Sequence, residues 1–481
     1  MQTKKKLKIK KSVIFKSIAG VVIFFSFLVL LMFIKLDVLP LKYFFLLLLI
    51  LIGIDGIVYF FLSKKNYKSR MLGTVLALFF ILFFGIAFYY QNATLNFLKQ
   101  ISFLEIQTEN YYLVALKNEN MSLESISEQN IGLVDDRKGI KKAIQQLKEE
   151  SKIKKVTYDN ASLLIKALEQ KEVKAILMEK GEYDIYTELS PQFQQTTQII
   201  HTFKVDVPRN MVQKKVSITK EPFNIYVTGI DTFGNLSAVS RSDVNMVVTV
   251  NPITNKILLT SIPRDYYVQI AGSTGLKDKL THAGLKGVDC SIATIEDLLD
   301  TEISYYLRIN FSSLVKIIDA IGGIEVDNPF EFSADYEENN EHIYYLYPKG
   351  INQLDGKKAL AYVRERYSLR EGDVARARHQ QQVIEAFINK VMNSTILTKY
   401  PKLLGSIEGD FDTNLELSSI TSFIEMQLDK MPNWNIEKNV LSGSDDYQCT
   451  ASFPELYSAV MIPNEESLAN SIQKINELMQ K

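Results

Sequence analysis

Three apolar runs open the chain, at about residues 17–34, 43–62 and 71–90. Each is about long enough to cross the ~30 Å hydrocarbon layer as a helix. Beyond Tyr90 the pattern changes to short apolar strings alternating with amphipathic stretches. Residues 111–116, 131–134, 155–158 and 173–178 read as strands. Residues 137–150 have helical spacing, with Ile140, Ala143, Ile144 and Leu147 on one face. Asn160 ahead of residues 161–170 reads as an N-cap and its helix. This alternation predicts a small α/β domain with a largely parallel sheet. Residues 204–220 read as a connector into a further domain.

That domain opens with three strands. Residues 223–230 form the first, ending at Asp231, and residues 245–250 the second, just after Asp243. Asn251-Pro252-Ile253-Thr254-Asn255-Lys256 is a turn signal. Residues 257–262 form the third strand, followed by Pro263-Arg264-Asp265. A hairpin of the second and third strands puts Asp243 and Arg264 at one end. A first strand running beside the third would bring Asp231 there as well. Carboxylates paired without Cys or His suit a hard cation such as Mg²⁺ (Mn²⁺ as a substitute); the other reading is aspartates that cap turns. Helices are expected at 290–299 and at 311–321, the latter stopped by Gly322-Gly323. A strand follows at 324–326, a loop or turn at the string PKGINQLDG within 345–358, and helix-like sequence at 358–363. The chain therefore divides into an apolar anchor (1–90), an α/β accessory domain (91–221) and a larger α/β domain (222–481).

Charge adds direction. Formal net charge is zero, with 55 basic and 55 acidic residues, which argues against bulk nucleic-acid binding. Lysines crowd the N-terminus before the first apolar run, and Lys64, Lys65, Lys68 and Arg70 lie between the second and third. The positive-inside rule then puts the N-terminus in the cytoplasm and everything after the third crossing outside. A cleaved signal peptide does not fit, because the apolar run is too long and two more follow. Asp55 inside the second run is a functional candidate by position, or else a helix-packing contact. Cys290 and Cys449 match no zinc pattern, and outside the cell a long-range disulfide between them is permitted.

Arginine use is the sharpest chemical signal. The chain has 11 arginines, and five fall within residues 362–382: Arg364, Arg366, Arg370, Arg376 and Arg378. Guanidinium forks serve planar, bidentate contact with phosphate or carboxylate. The window reads as a phosphate or pyrophosphate site, with a solvated charged face as the alternative. Arg364 and Arg366 share a face only on extended backbone. From Asp373 the spacing is helical, with Val383, Ile384, Phe387 and Val391 as the apolar stripe. Asp373, Arg376 and Gln380 then lie on adjoining turns of one face, and Asp373 can hold a fork in place.

In order, the strings IDTFG, SRSD, SIPRD, KLTHA, the Gly322-Gly323-Ile324 turn and YVRERYSLREGDVARARHQ resemble the LytR–CpsA–Psr family. The likeness spans roughly residues 224–388. The three-span anchor and middle domain resemble the capsule-associated CpsA-type members of Gram-positive bacteria. The resemblance implies an α/β/α domain with a mixed central sheet. It implies an extracytoplasmic phosphotransferase in the cell membrane that moves capsular glycopolymer from an undecaprenyl-pyrophosphate carrier to peptidoglycan through a phosphodiester. Carried over, Asp231 and Asp243 would serve Mg²⁺. Arg264, Arg364, Arg366, Arg376 and Gln380 would grip the polyprenyl pyrophosphate, and Asp373 would orient the arginines. Asp231, Asp243, Arg264 and Arg364 would carry catalysis. The aliphatic helices would build the cavity for the polyprenyl tail. Other capsule-synthesis membrane proteins are possible partners.

Two positions depart from the family pattern: His379 stands where many members have Arg, and Ala375 where glycine is commoner. His379 would then lose one pyrophosphate contact or make it pH-sensitive. Phosphoryl transfer needs positioning and charge neutralisation more than a covalent protein group, so arginines and carboxylates suffice. In-line attack by a sugar hydroxyl on the carrier-linked pyrophosphate is expected, with Asp231 or Asp243 helping to remove its proton. A non-catalytic regulator of capsule synthesis that binds the same lipid, and a lipid pyrophosphatase, are the competing readings.

Overall fold

The computed structural model describes residues 2–100, 106–119, 121–135, 138–209, 216–230, 236–338, 341–366, 368–369, 372–392 and 411–480. Three helices come first: α1 (Gln2–Leu36), α2 (Leu41–Ser63) and α3 (Tyr67–Gln100). Their segments Val13–Leu36, Leu41–Ser63 and Tyr67–Asn96 are each long and apolar enough to cross a membrane. Val22, Val58 and Phe84 are buried between them, while Phe24, Phe45, Leu49 and Leu82 face outward, as a lipid-exposed bundle requires. Asp55 accepts a hydrogen bond from Ser26 Oγ at 2.7 Å. In the described structure, then, it serves as a packing contact between α2 and α1.

The accessory domain contains β1 (Ile106–Leu116), β2 (Asn130–Val134), α4 (Lys138–Glu150), β3 (Lys154–Tyr158), α5 (Ala161–Glu169), β4 (Ala175–Glu179), α6 (Lys180–Leu189), α7 (Pro191–Thr196) and β5 (Thr197–Pro208). Its strand order is β3–β2–β4–β1–β5. β2 is parallel to β3 and β4, but β1 runs antiparallel to β4 and β5. The sheet is thus mixed rather than largely parallel. The difference lies in β5, whose second half is the stretch read as connector. There Phe203, Val205 and Val207 are buried at strand spacing and return the chain along β1. Asn160 Oδ1 accepts the Leu163 N–H at 2.9 Å and starts α5. α4 and α5 cover opposite faces of the sheet, through Ile140 and Leu147 on one side and Leu164 and Leu168 on the other.

The larger domain begins with β6 (Phe223–Ile230), β7 (Ser242–Asn251) and β8 (Lys256–Ser261), followed by β9 (Tyr267–Val268), β10 (Asp278–Lys279), α8 (Leu280–Ala283), α9 (Val288–Leu299), β11 (Tyr305–Asn310) and α10 (Phe311–Ala320). Next come β12 (Ile324–Asn328), β13 (Phe332–Glu338), β14 (Glu341–Tyr347), β15 (Gly350–Leu354), α11 (Gly356–Arg364), α12 (Asp373–Val391) and β16 (Asp412–Thr413). Helix Leu417–Lys430, β17 (Asn435–Val440), β18 (Gly443–Cys449), β19 (Tyr457–Pro463) and helix Glu465–Met479 complete it.

The central sheet runs β16–β11–β6–β7–β8–β17 and is mixed. Its residues alternate between two cores. Tyr226, Val247, Leu258 and Tyr306 meet α9 and helix Glu465–Met479. Met246, Val248, Leu259 and Tyr305 meet Ile384 and Ile388 of α12 and Phe423. This is an α/β/α sandwich. The hairpin β7–β8 forms as expected, with Asn255 at φ 55° in its turn. The first strand pairs with the second, not the third: Ile230 lies opposite Ser242. The stretch 345–358 is not a loop. It holds the end of β14, then β15, which pairs with β12, and the hairpin β13–β14 packs beside them.

The parts are joined by named contacts. Leu36 at the end of α1 is buried in the apolar cluster of α10, α11 and β12–β15. Lys42 of α2 pairs with Asp429 at 2.8 Å. Arg209, at the end of the accessory sheet, donates to Asp412 Oδ2 at 2.8 Å and to the Tyr306 hydroxyl at 3.1 Å. Tyr306 donates to Asp412 Oδ1 at 2.6 Å, and Arg308 lies 3.9 Å from Asp412. Asp412 is fully buried, so its removal takes a carboxylate away from two buried guanidinium groups. Asp412→Ala is expected to destabilise the protein by about 3–5 kcal/mol, read by guanidinium unfolding.

His379 is a second case of burial deciding chemistry. Its ring stacks on Phe332 at 4.7 Å and 9°, and lies 4.5 Å from Tyr362. It belongs to the aromatic core. Burial drives its pKa down from 6.5 to about 4, against a hydrogen bond to the Tyr362 backbone. The unfolded chain therefore takes up a proton that the folded chain refuses. The stability His379 supports is complete above pH 6.5 and declines as pH falls toward 4. The total loss should be roughly 3 kcal/mol, and His379→Gln should flatten that part of a stability-against-pH curve.

Candidate anion-binding site

The site lies at the rim where β6 ends and β7 begins. The β7–β8 hairpin continues past its ladder, since the Ile262 N–H donates to Asn245 O at 2.9 Å. Asp243, near the start of β7, therefore comes opposite Arg264, just beyond β8. Arg264 Nη1 donates to Asp243 Oδ1 at 2.9 Å, and both side chains are mostly buried. Arg264 Nε also lies 3.5 Å from Asp265, whose other oxygen is 3.4 Å from Lys279 Nζ. α8 closes this rim from one side: the Thr281 N–H donates to Arg264 O at 2.9 Å, and its hydroxyl donates to Asp243 Oδ1 at 3.3 Å.

α12 supplies the opposing wall. Gly372, at φ 51°, turns the chain into it. Asp373 Oδ1 and Arg376 Nη2 are 2.9 Å apart in the first turn. Electrostatics tie the two walls together. Burial opposes the Arg264 charge, but Asp243, Asp265 and, more weakly, Asp373 outweigh it and raise its pKa. Arg376 moves the other way: burial lowers its pKa, Asp373 supports its charge, and Arg264 and Arg366 oppose it. Arginines that repel one another at a half-buried rim favour an anion between them.

The structure thus brings together Asp243, Arg264, Arg366, Asp373 and Arg376. Arg364 ends α11, exposed, with its guanidinium 4.5 Å from the Phe311 ring centre. It borders the apolar layer rather than joining the ion-paired group. Gln380 is half-buried on the next turn of α12 from Arg376. Arg378 is exposed. Asp231 and Arg370 lie outside the described residues. Three contributors were not assigned from sequence: Thr281 and Lys279, within the quoted KLTHA string, and Arg241, within SRSD. Arg241 pairs with Glu188 at 2.8 Å.

The donor set can be tested against a hard cation. No group of three or more His, Cys, Asp or Glu that could hold a metal occurs among the described residues. Among them, both hydrogen bonds to Asp243 fall on Oδ1, which leaves Oδ2 for a ligand. One or two carboxylates completed by substrate phosphate oxygens suit Mg²⁺ better than a dedicated protein cage does. Such a cation would find one described carboxylate here, Asp243.

Residues 189–467 match the LytR_cpsA_psr family. Biofilm regulatory protein A of Streptococcus mutans is 36% identical over 218 residues, 43% of this chain and 53% of that protein, so the chain spans about half of that relative's length. The polyisoprenyl-teichoic acid–peptidoglycan teichoic acid transferase TagU of Bacillus cereus is 36% identical over 237 residues, 49% of this chain and 71% of that protein. The crystal structure of Bacillus subtilis TagV aligns at 29% identity and a TM-score of 0.45, covering 54% of this chain and 98% of that one. The family match takes in both walls of the rim, the hairpin with Asp243 and Arg264 and the helix with Asp373 and Arg376, and the chain belongs to the LytR_cpsA_psr family.

Proposed function

We propose that this chain is a membrane-anchored phosphotransferase that transfers a capsular glycopolymer from an undecaprenyl-pyrophosphate carrier to peptidoglycan. The observation that carries the reading is the rim itself, where Arg264 pairs with Asp243 and Arg376 with Asp373, and where Arg264 and Arg366 oppose the charge of the half-buried Arg376. The B. cereus relative, whose name gives a polyisoprenyl-linked polymer and peptidoglycan as its substrates, supports the same chemistry. The lysine-rich N-terminus and the basic loop between α2 and α3 support a cytoplasmic start, with both folded domains outside.

The residues have separable tasks. Arg264, Arg366 and Arg376 hold the pyrophosphate oxygens and take up the charge that grows in the transition state. Asp373 fixes the Arg376 fork, and Thr281 fixes Asp243. Arg364 and Gln380 extend the grip at either side. Asp243 Oδ2, with Asp231, would hold Mg²⁺, which when bound supplies further charge neutralisation at the phosphates. The acceptor hydroxyl attacks the phosphorus that bears the polymer. The bridging P–O bond breaks, polyprenyl phosphate leaves, and the acceptor's proton passes to a carboxylate at the rim. The polyprenyl tail lies along the partly buried Phe311, Leu314, Phe387 and Val391, which border the apolar cluster that also buries Leu36 of α1.

Purified chain, carrier-linked oligosaccharide, a peptidoglycan fragment and Mg²⁺ should yield a phosphodiester adduct by mass spectrometry. Arg264→Ala should lower its rate by about 10²–10³-fold, and EDTA should abolish it reversibly. Free sugar phosphate without adduct would indicate a pyrophosphatase. Lipid binding without turnover would indicate a regulator.

A further inference from the structure

We propose that the accessory domain completes the site: Glu188 and Thr108 act as positioning residues that hold the segment leading into Asp243 and keep Arg241 away from that carboxylate. The inference rests on the reading above only in taking Asp243 as a working ligand.

Residues 237–239, ahead of β7, lie against β1 of the accessory domain. Thr108 of β1 donates its N–H to Ser237 O at 2.7 Å and accepts the Val239 N–H at 3.0 Å. Ala238 thereby pairs with Thr108 as a short parallel bridge. The Thr108 and Ser237 hydroxyls lie 2.8 Å apart. From the opposite side, Arg308 Nη2 donates to Ala238 O at 2.5 Å. The approach to Asp243 is therefore paired to a strand of another domain. Around it the two domains share a core, since Leu285 and Phe453 are buried among Leu164, Leu168, Tyr183 and Phe193. The Phe453 ring lies 5.2 Å from Tyr186.

Glu188 acts on the next two residues. It sits in the last turn of α6 and accepts from Arg241 Nη1 at 2.8 Å. Arg241 lies just before β7, and Asp243 follows two residues later at the bulge where the β6–β7 register shifts. Arg241 is mostly buried and feels both Asp243 and Arg264 electrostatically. With Glu188 in place, the Arg241 fork is occupied and Asp243 keeps its geometry toward Arg264 and Thr281. Without Glu188, Asp243 is the carboxylate whose charge Arg241 still feels. A second guanidinium there displaces Arg264 or covers Oδ2. The pair itself is largely exposed on the Glu188 side, so its loss leaves global stability little changed. That separates a positioning effect from a folding defect.

The test uses the full chain in detergent with Mn²⁺ as the probe, followed by electron paramagnetic resonance without lipid. Glu188→Ala should weaken Mn²⁺ binding by about tenfold with little change in Tm. Glu188→Ala combined with Arg241→Gln should restore it, because the competing fork is gone. Thr108→Pro, which removes the N–H to Ser237, should speed amide exchange at Val239 but not in β8. Unchanged Mn²⁺ affinity in Glu188→Ala, or no recovery in the double variant, would overturn the inference, as would wild type that binds no Mn²⁺. If wild type forms no phosphodiester adduct and yet Mn²⁺ binding falls and recovers as described, the transferase reading fails while the positioning role stands.

Discussion

The ion pair between Arg264 and Asp243 is the contact on which the rest of the rim depends. Each side chain is mostly buried, and each would be costly there alone. Paired, they fix the open end of the β7–β8 hairpin, and Thr281 reads both partners at once, bonding the backbone of one and the carboxylate of the other. That contact anchors α8, which carries β10 and the loop before it. The pair also leaves one oxygen of Asp243 unused among the described residues. A structural salt bridge thus doubles as a half-built ligand site.

The other half comes from α12, and it is held by different forces. Its inward face is apolar or aromatic: Val383, Ala386 and the stacked His379 belong to the core. At its first turn Asp373 steadies Arg376. Rigid burial of the helix body sets where Arg376 stands, and its repulsion from Arg264 and Arg366 favours an anion beside it. A site of this kind is preorganised for an anion, which is the property phosphoryl transfer rewards.

Much of this was legible from local sequence. The turn Asn251–Lys256 between two apolar strands announced the hairpin, and the hairpin alone was enough to bring Asp243 to Arg264. Density of arginine marked the α12 wall. Asn160 marked a cap, and Gly322-Gly323 a helix end, both glycines standing at positive φ. What escaped was long-range or two-faced. β13 alternates exposed Ser333 and Glu337 with buried Phe332, Ala334 and Tyr336, while β14 carries an apolar and aromatic run, 343–347, with Tyr344 and Leu346 exposed. β5 looked like a connector because Lys204 and Asp206 interrupt its buried positions. His379 stands beside Gln380 in sequence, but one residue is 100° of helix, enough to turn a ring from the rim to the core. Glu188 and Arg241 are 53 residues apart, and no local pattern joins them.

The account makes the rim a pyrophosphate grip before it makes it an enzyme. The most direct test is calorimetric: titrate the full chain with a short polyprenyl pyrophosphate, the matching monophosphate and the free alcohol. The expected order is pyrophosphate, then monophosphate, then alcohol, with at least about tenfold between the first two and that gap lost in Arg376→Gln. Equal affinity for all three, or a gap that survives Arg376→Gln and Arg264→Gln together, would contradict it.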